Sequence, residues 1–261
     1  MSTWEKEVGF SEAVRRVLLA AISPFSTFSD IALRPDSLGP LLCLLLLTLV
    51  HSAYNHVLIA RVELSVASGS PLIPPKVVVT ESVVRITAVN ATGRVRDLGP
   101  LSEEYYAEAQ MLSLGYGITA WLGLTVAIWL SLKVLGGSTR LFTVLAGYTL
   151  SVKLYEYFTR LILVLTLTSW IKRVELLIWR GASITLILSQ VSQALAQTSG
   201  LRTVMRAHMV FFTVWGVIVV MAAAQEGGFL STRRAVVAGI IGYLLASLLQ
   251  MIAYTVLTMG F

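Results

Sequence analysis

Charge is what this chain has least of. Only 13% of its 261 residues are Asp, Glu, Lys or Arg while 56% are hydrophobic, a balance far outside that of soluble domains. The single cysteine, Cys43, excludes an intrachain disulfide and any multi-cysteine metal site; set in an apolar run, it reads as a small packing residue. Histidine is also rare. His51 and His56 stand five positions apart, about 140° around a helix, so they do not share a face as an i, i+4 metal pair does. There is no His-Glu-x-x-His pair, Gly-x-Ser-x-Gly elbow, phosphate loop or pair of membrane aspartates, and the chain is expected to be no enzyme and to hold no metal or cofactor. The net charge of +6 is spread over loops without a basic cluster or interleaved aromatics, which points to lipid headgroups as partner and not to nucleic acid.

What the chain does have is a series of apolar runs near or above the roughly 18 residues that a membrane helix requires. The amino end mixes acidic and basic residues where a signal peptide would have a charged stub and a short apolar core, so no cleaved leader is expected and the spans themselves direct insertion. The expected fold is an all-α polytopic membrane protein with five transmembrane helices at 38–60, 111–132, 141–164, 204–224 and 235–258. Residues 1–37 form a cytoplasmic, interfacial segment: Phe10, Val14, Val17, Leu18 and Ala21 share a helical face before Pro24, the pattern of a helix lying in the membrane surface, with Arg15 and Arg16 facing lipid headgroups. Residues 61–110 form an external loop, whose β-branched richness predicts one or two strands with a turn near Glu81–Ser82 or Asn90–Gly93 and hence a small β-hairpin. Asn90-Ala-Thr92 within it matches the N-glycosylation sequon. The 165–203 segment is external with an amphipathic helix, its stripe of Ile184, Ile187, Leu188, Val191 and Leu195 opposed by Ser189, Gln190, Ser192, Gln193 and Gln197. Cytoplasmic turns at 133–140 and 225–234 carry Gly136, Gly137, Arg140, Gly227, Gly228, Arg233 and Arg234. A cytoplasmic amino terminus places Arg15, Arg16, Arg34, Lys133, Arg140, Arg233 and Arg234 inside and the carboxyl terminus outside, in keeping with the positive-inside tendency.

The third expected span is unlike the rest, because Lys153, Glu156 and Arg160 enter it. From an entry near Leu141, Lys153 lies ~18 Å deep, Glu156 ~22 Å and Arg160 ~28 Å at the rise of an α-helix, against a hydrocarbon core of ~30 Å. Offsets of three and seven hold them within an arc of roughly 60°. Such a charged stripe must face protein or a wet cavity. It can be an internally neutralised ladder that fixes packing, a transport or ligand site, or a dock for a partner helix.

Gly136-Gly-Ser-Thr-Arg140 leads to Gly147-Tyr148, and Gly227-Gly228 with Ser231-Thr-Arg233 leads to Gly242-Tyr243. Each set follows one span and opens the next, as in two hairpins of one orientation related by an internal repeat. Ile22-Ser-Pro-Phe-Ser-Thr-Phe-Ser-Asp-Ile-Ala-Leu-Arg-Pro35, Leu132-Lys-Val-Leu-Gly-Gly137 and Gly147-Tyr148 resemble the Yip1 domain family over roughly residues 15–258. That resemblance implies five membrane helices, a cytosolic amino terminus and no enzymatic activity; eukaryotic members bind Rab-type GTPases in vesicle traffic. The chain has no long polar amino-terminal region and fifteen arginines against five lysines, closer to a prokaryotic member in a cell membrane. The function expected is that of a membrane scaffold or adaptor for lipid and for membrane or cytosolic protein partners, itself able to oligomerise. The alternative is a small-solute or ion transporter that uses the stripe of the third span.

Overall fold

The computed structural model describes residues 8–101, 103–180, 182–197 and 201–259. The first seven residues of the expected cytoplasmic segment and residues 198–200 of the expected external one lie outside these. The order of elements is α1 (Phe10–Ile22), α2 (Pro24–Leu33), α3 (Leu38–Ile59), β1 (Val62–Ala67), β2 (Gly69–Thr80), β3 (Val83–Ala91), β4 (Arg96–Pro100), α4 (Glu103–Leu135), α5 (Phe142–Leu167), β5 (Arg173–Trp179), α6 (Ile184–Gln197), α7 (Leu201–Ala222), a π-helical turn (Ala223–Gly227) and α8 (Thr232–Met259). They group into two units, one of residues 8–50, 114–157 and 210–259, the other of 51–113 and 158–209.

The first unit is helical throughout. Among the described residues four helices are long and apolar enough to cross a membrane: Leu38–Ile59, Tyr105–Leu135, Leu201–Gly227 and Thr232–Val256. The chain is thus built as a multi-pass membrane protein. The fifth long helix, α5, has 26 residues, but Lys153, Glu156 and Arg160 lower its hydropathy and it is not among the four. Where helices in lipid lack a hydrophobic drive to associate, small residues allow close backbone approach. The helices here meet in that way: a Cβ added at Gly147 would strike Pro40, and one at Gly123 would stand 2.8 Å from the Ala246 carbonyl oxygen.

The second unit departs from the all-α expectation. In place of a lone hairpin it holds a five-stranded mixed sheet in the order β2-β3-β5-β1-β4. β2 and β3 run antiparallel on either side of Glu81 and Ser82, with Thr80 opposite Val83, and Glu81 takes a left-handed φ of 44°. The central strand β5 comes from the 165–203 segment, for which no strand is expected, and pairs in parallel with both β1 and β3. Its start is fixed by Arg61, whose Nη1 donates to the Thr168 carbonyl at 3.0 Å, while the Val174 N–H donates to the Arg61 carbonyl at 2.7 Å. Alternation along β5 buries Val174, Leu176 and Ile178. α6 packs on β3 and buries Ile184, Ile187, Val191 and Leu195, so the apolar stripe of this helix covers the sheet. At 14 residues α6 is too short to cross a bilayer. On the other face Arg85 donates to Glu175 at 2.8 Å, and that bond holds the Glu175 carboxyl below its usual range.

Candidate functional site

The two glycine turns come together in the first unit. Gly136 closes α4 at a φ of +77°, a conformation glycine adopts without steric cost, and the next residues then pass against the π-helical turn. The Ser138 N–H donates to the Gly228 carbonyl at 2.8 Å, and Arg234 Nη1 donates to the Leu135 carbonyl at 3.2 Å. Gly227 and Gly228 are buried, whereas Lys133, Arg140, Arg233 and Arg234 are exposed. The turns therefore form one hydrogen-bonded edge with basic side chains projecting from it.

Beside it stands a network of charges. Arg16, expected to face lipid headgroups, is instead 1% exposed. Its Nε donates to Asp30 at 2.9 Å and its Nη1 donates to the Arg34 carbonyl at 2.7 Å and to Asp36 at 2.8 Å. The Tyr148 hydroxyl donates to the same Asp36 oxygen at 2.7 Å, and the Gly39 N–H donates to the other at 2.8 Å. A planar guanidinium with five donors suits several acceptors at once, which explains why Arg16 turns inward. Burial would lower the Arg16 pKa, but the Asp36 bond and the Asp30 charge raise it. Arg15, by contrast, is 57% exposed and paired with Glu12 at 2.7 Å.

Five residues beyond Tyr148 along α5, Lys153 Nζ donates to Glu156 at 2.9 Å. The side chains of this pair are 16% and 6% exposed, and the ammonium stands 5.6 Å from the centroid of the Tyr243 ring, within cation–π range. Arg160, the third residue of the stripe, is half-buried and belongs to the second unit. The Gly-Tyr pairs of the suggested repeat are used alike. Tyr148 lies on Gly39 and Tyr243 on Gly216, each so closely that an added Cβ would fall inside the ring or its hydroxyl.

Tyr148 and Tyr243 stand in the Gly-Tyr pairs of the suggested repeat, but Asp30 and Asp36 are site residues that spacing alone does not single out. In the second unit the same holds for Asn55, whose Nδ2 donates to Ser113 Oγ at 3.0 Å and lies 3.3 Å from His51 Nδ1. His51 is buried in this polar cluster. Among the described residues no group of three His, Cys, Asp or Glu side chains could hold a metal ion. The chain matches no protein-family model, no curated protein and no solved structure.

Proposed function

We propose that this protein is a non-enzymatic, Yip1-like scaffold of a prokaryotic cell membrane, with five spans, that engages lipid headgroups or a protein partner through the basic edge formed by its two glycine turns. The observation that carries the reading is the bond from Ser138 to Gly228, which fixes the turns as one edge with Lys133, Arg140 and Arg233 exposed along it. The segments that resemble the Yip1 family also meet here: Asp36 directly follows Pro35, and it accepts the hydroxyl of Tyr148. The transporter alternative receives less support, because the ionised groups of the Lys153–Glu156 pair satisfy each other at 2.9 Å.

The same bond supports α5 as the fifth span. Gly228 and Ser138 share one side, so an even number of crossings separates them. α6 is too short to cross and α7 contributes one, which leaves α5 as the other. Its ion pair reduces the cost of entering the bilayer. With the amino terminus cytoplasmic, cysteines replacing Ser138 and Thr232 in a Cys43→Ala background are expected to be labelled from the cytoplasmic side only; labelling of the two from opposite sides would rule out five spans.

For the scaffold role, each basic residue near an anionic surface contributes about 1 kcal/mol. Arg140→Glu with Arg233→Glu should thus weaken retention of anionic phospholipid by roughly 30-fold, read by native mass spectrometry after exchange into a neutral detergent. Equal retention by the native and doubly changed proteins would remove lipid headgroups as the partner of this edge.

A further inference from the structure

Hydrogen bonds to two long helices fix how far along them α1 reaches. Gly227 packs on the Leu145 side chain, so the end of the π-helical turn and the first turn of α5 lie at one level. From that level Tyr155 is ten residues along α5 and Trp215 twelve residues back along α7, roughly 15 Å and 18 Å at the rise of an α-helix. The Tyr155 hydroxyl donates to the Leu18 carbonyl at 3.3 Å, and Trp215 Nε1 donates to the Ala21 carbonyl at 2.6 Å. Trp215 is the fifteenth residue of the apolar span Leu201–Gly227. The last turn of α1 is thus beside the middle of a membrane-crossing helix.

α1 and α2 have 13 and 10 residues, each too short to cross alone. Arg16 opposite Asp30 makes them antiparallel about Ser23, and α2 runs back to pack on the π-helical turn. The charge pattern follows this path. Glu12, Arg15, Arg16, Asp30, Arg34 and Asp36 all lie toward the open end, and no ionisable residue occurs from Val17 to Ser29.

We propose that α1 and α2 form a re-entrant helical hairpin, which enters the bilayer from the side of the glycine turns, reverses at Ser23 near the mid-plane and presents Leu18, Ile22 and Phe25 to the acyl chains of that leaflet. The apex meets the main requirement of a non-spanning turn in hydrocarbon, that its backbone groups find partners without water. The Ser23 N–H donates to the Leu19 carbonyl at 2.7 Å, Ser26 and Thr27 hydroxyls donate to the Ser23 carbonyl at 3.2 Å and 2.9 Å, Pro24 has no N–H to satisfy, and Trp215 takes the Ala21 carbonyl. Leu18, Ile22 and Phe25 remain 45%, 60% and 37% exposed, side chains that water would disfavour and acyl chains accept. The inference needs only that α7 spans the membrane, and it stands or falls apart from the scaffold reading.

Depth-dependent quenching tests it on the full-length protein in phosphatidylcholine vesicles. In a Cys43→Ala background, Ile22→Cys or Phe25→Cys carries an environment-sensitive fluorophore, and the lipid carries a nitroxide either near the headgroup or near the chain end. Quenching by the chain-end nitroxide is expected to exceed that by the headgroup nitroxide about twofold or more at both positions, with the order reversed at Ser37→Cys. Headgroup quenching equal to or stronger than chain-end quenching at positions 22 and 25, no quenching by either, or labelling of both by a membrane-impermeant thiol reagent would overturn the hairpin.

Discussion

Replacing Glu156 by Leu is expected to destabilise the purified protein by about 3–5 kcal/mol, whereas replacing Lys153 and Glu156 together by Leu costs far less. The two side chains are 2.9 Å apart and almost enclosed. Removing the carboxylate alone leaves an ammonium in a medium of low dielectric near the Tyr243 ring, and desolvation of the charge that has lost its carboxylate dominates. Removing both charges deletes their attraction and their desolvation cost together, and leucine fills a comparable volume. Thermal unfolding in detergent separates the outcomes: the single variant should melt well below both the native protein and the double variant. A single variant as stable as the native protein would mean that the pair contributes nothing to the packing of α5.

The second large effect belongs to Arg16. Its guanidinium supplies donors to Asp30, Asp36 and the Arg34 carbonyl, so Arg16→Leu removes the cation that both carboxylates and that carbonyl share. A loss on the order of 3–5 kcal/mol is expected, with faster proteolysis within residues 8–36 because the amino-terminal helices lose their main polar attachment. Arg16→Lys should recover only part of it, since an ammonium lacks the planar fork that reaches several acceptors. Arg15→Leu is the control. Its pairing with Glu12 is solvent-exposed, and such pairs contribute about 1 kcal/mol or less. Equal effects at positions 15 and 16 would contradict the buried network.

These two adjacent arginines also mark where the sequence stops being legible. A helical wheel puts Arg15 and Arg16 alike on the polar side, because periodicity records which residues avoid the core and not which find partners there. Arg16's acceptors lie 14, 18 and 20 positions away, in a second helix and in the segment before α3. The long helices, by contrast, are readable from length and hydropathy, since a bilayer sets both. The lengths of α4 and of the α7 π-helical extension are less so, because polar first or last turns continue a helix beyond the apolar run. The sheet is hidden for a different reason. β-branched residues mark β2 and β3, but the pairing of β1 with β5 joins residues more than a hundred positions apart, and β4 is a polar edge strand with no apolar alternation. The glycine turns were visible as motifs; that they bond to each other depends on the packing of the helices that carry them.

The stripe of α5 is proposed as a structural element that holds the Lys153–Glu156 pair and carries no solute. Ion flux decides this most directly. Protein reconstituted in liposomes, with a pH-sensitive dye and in parallel a potassium-sensitive dye inside, should show proton and cation permeability equal to that of empty liposomes, for the native protein and for Lys153→Leu with Glu156→Leu alike. Flux through the native protein that the double substitution abolishes would contradict the account and assign the pair to a transport path.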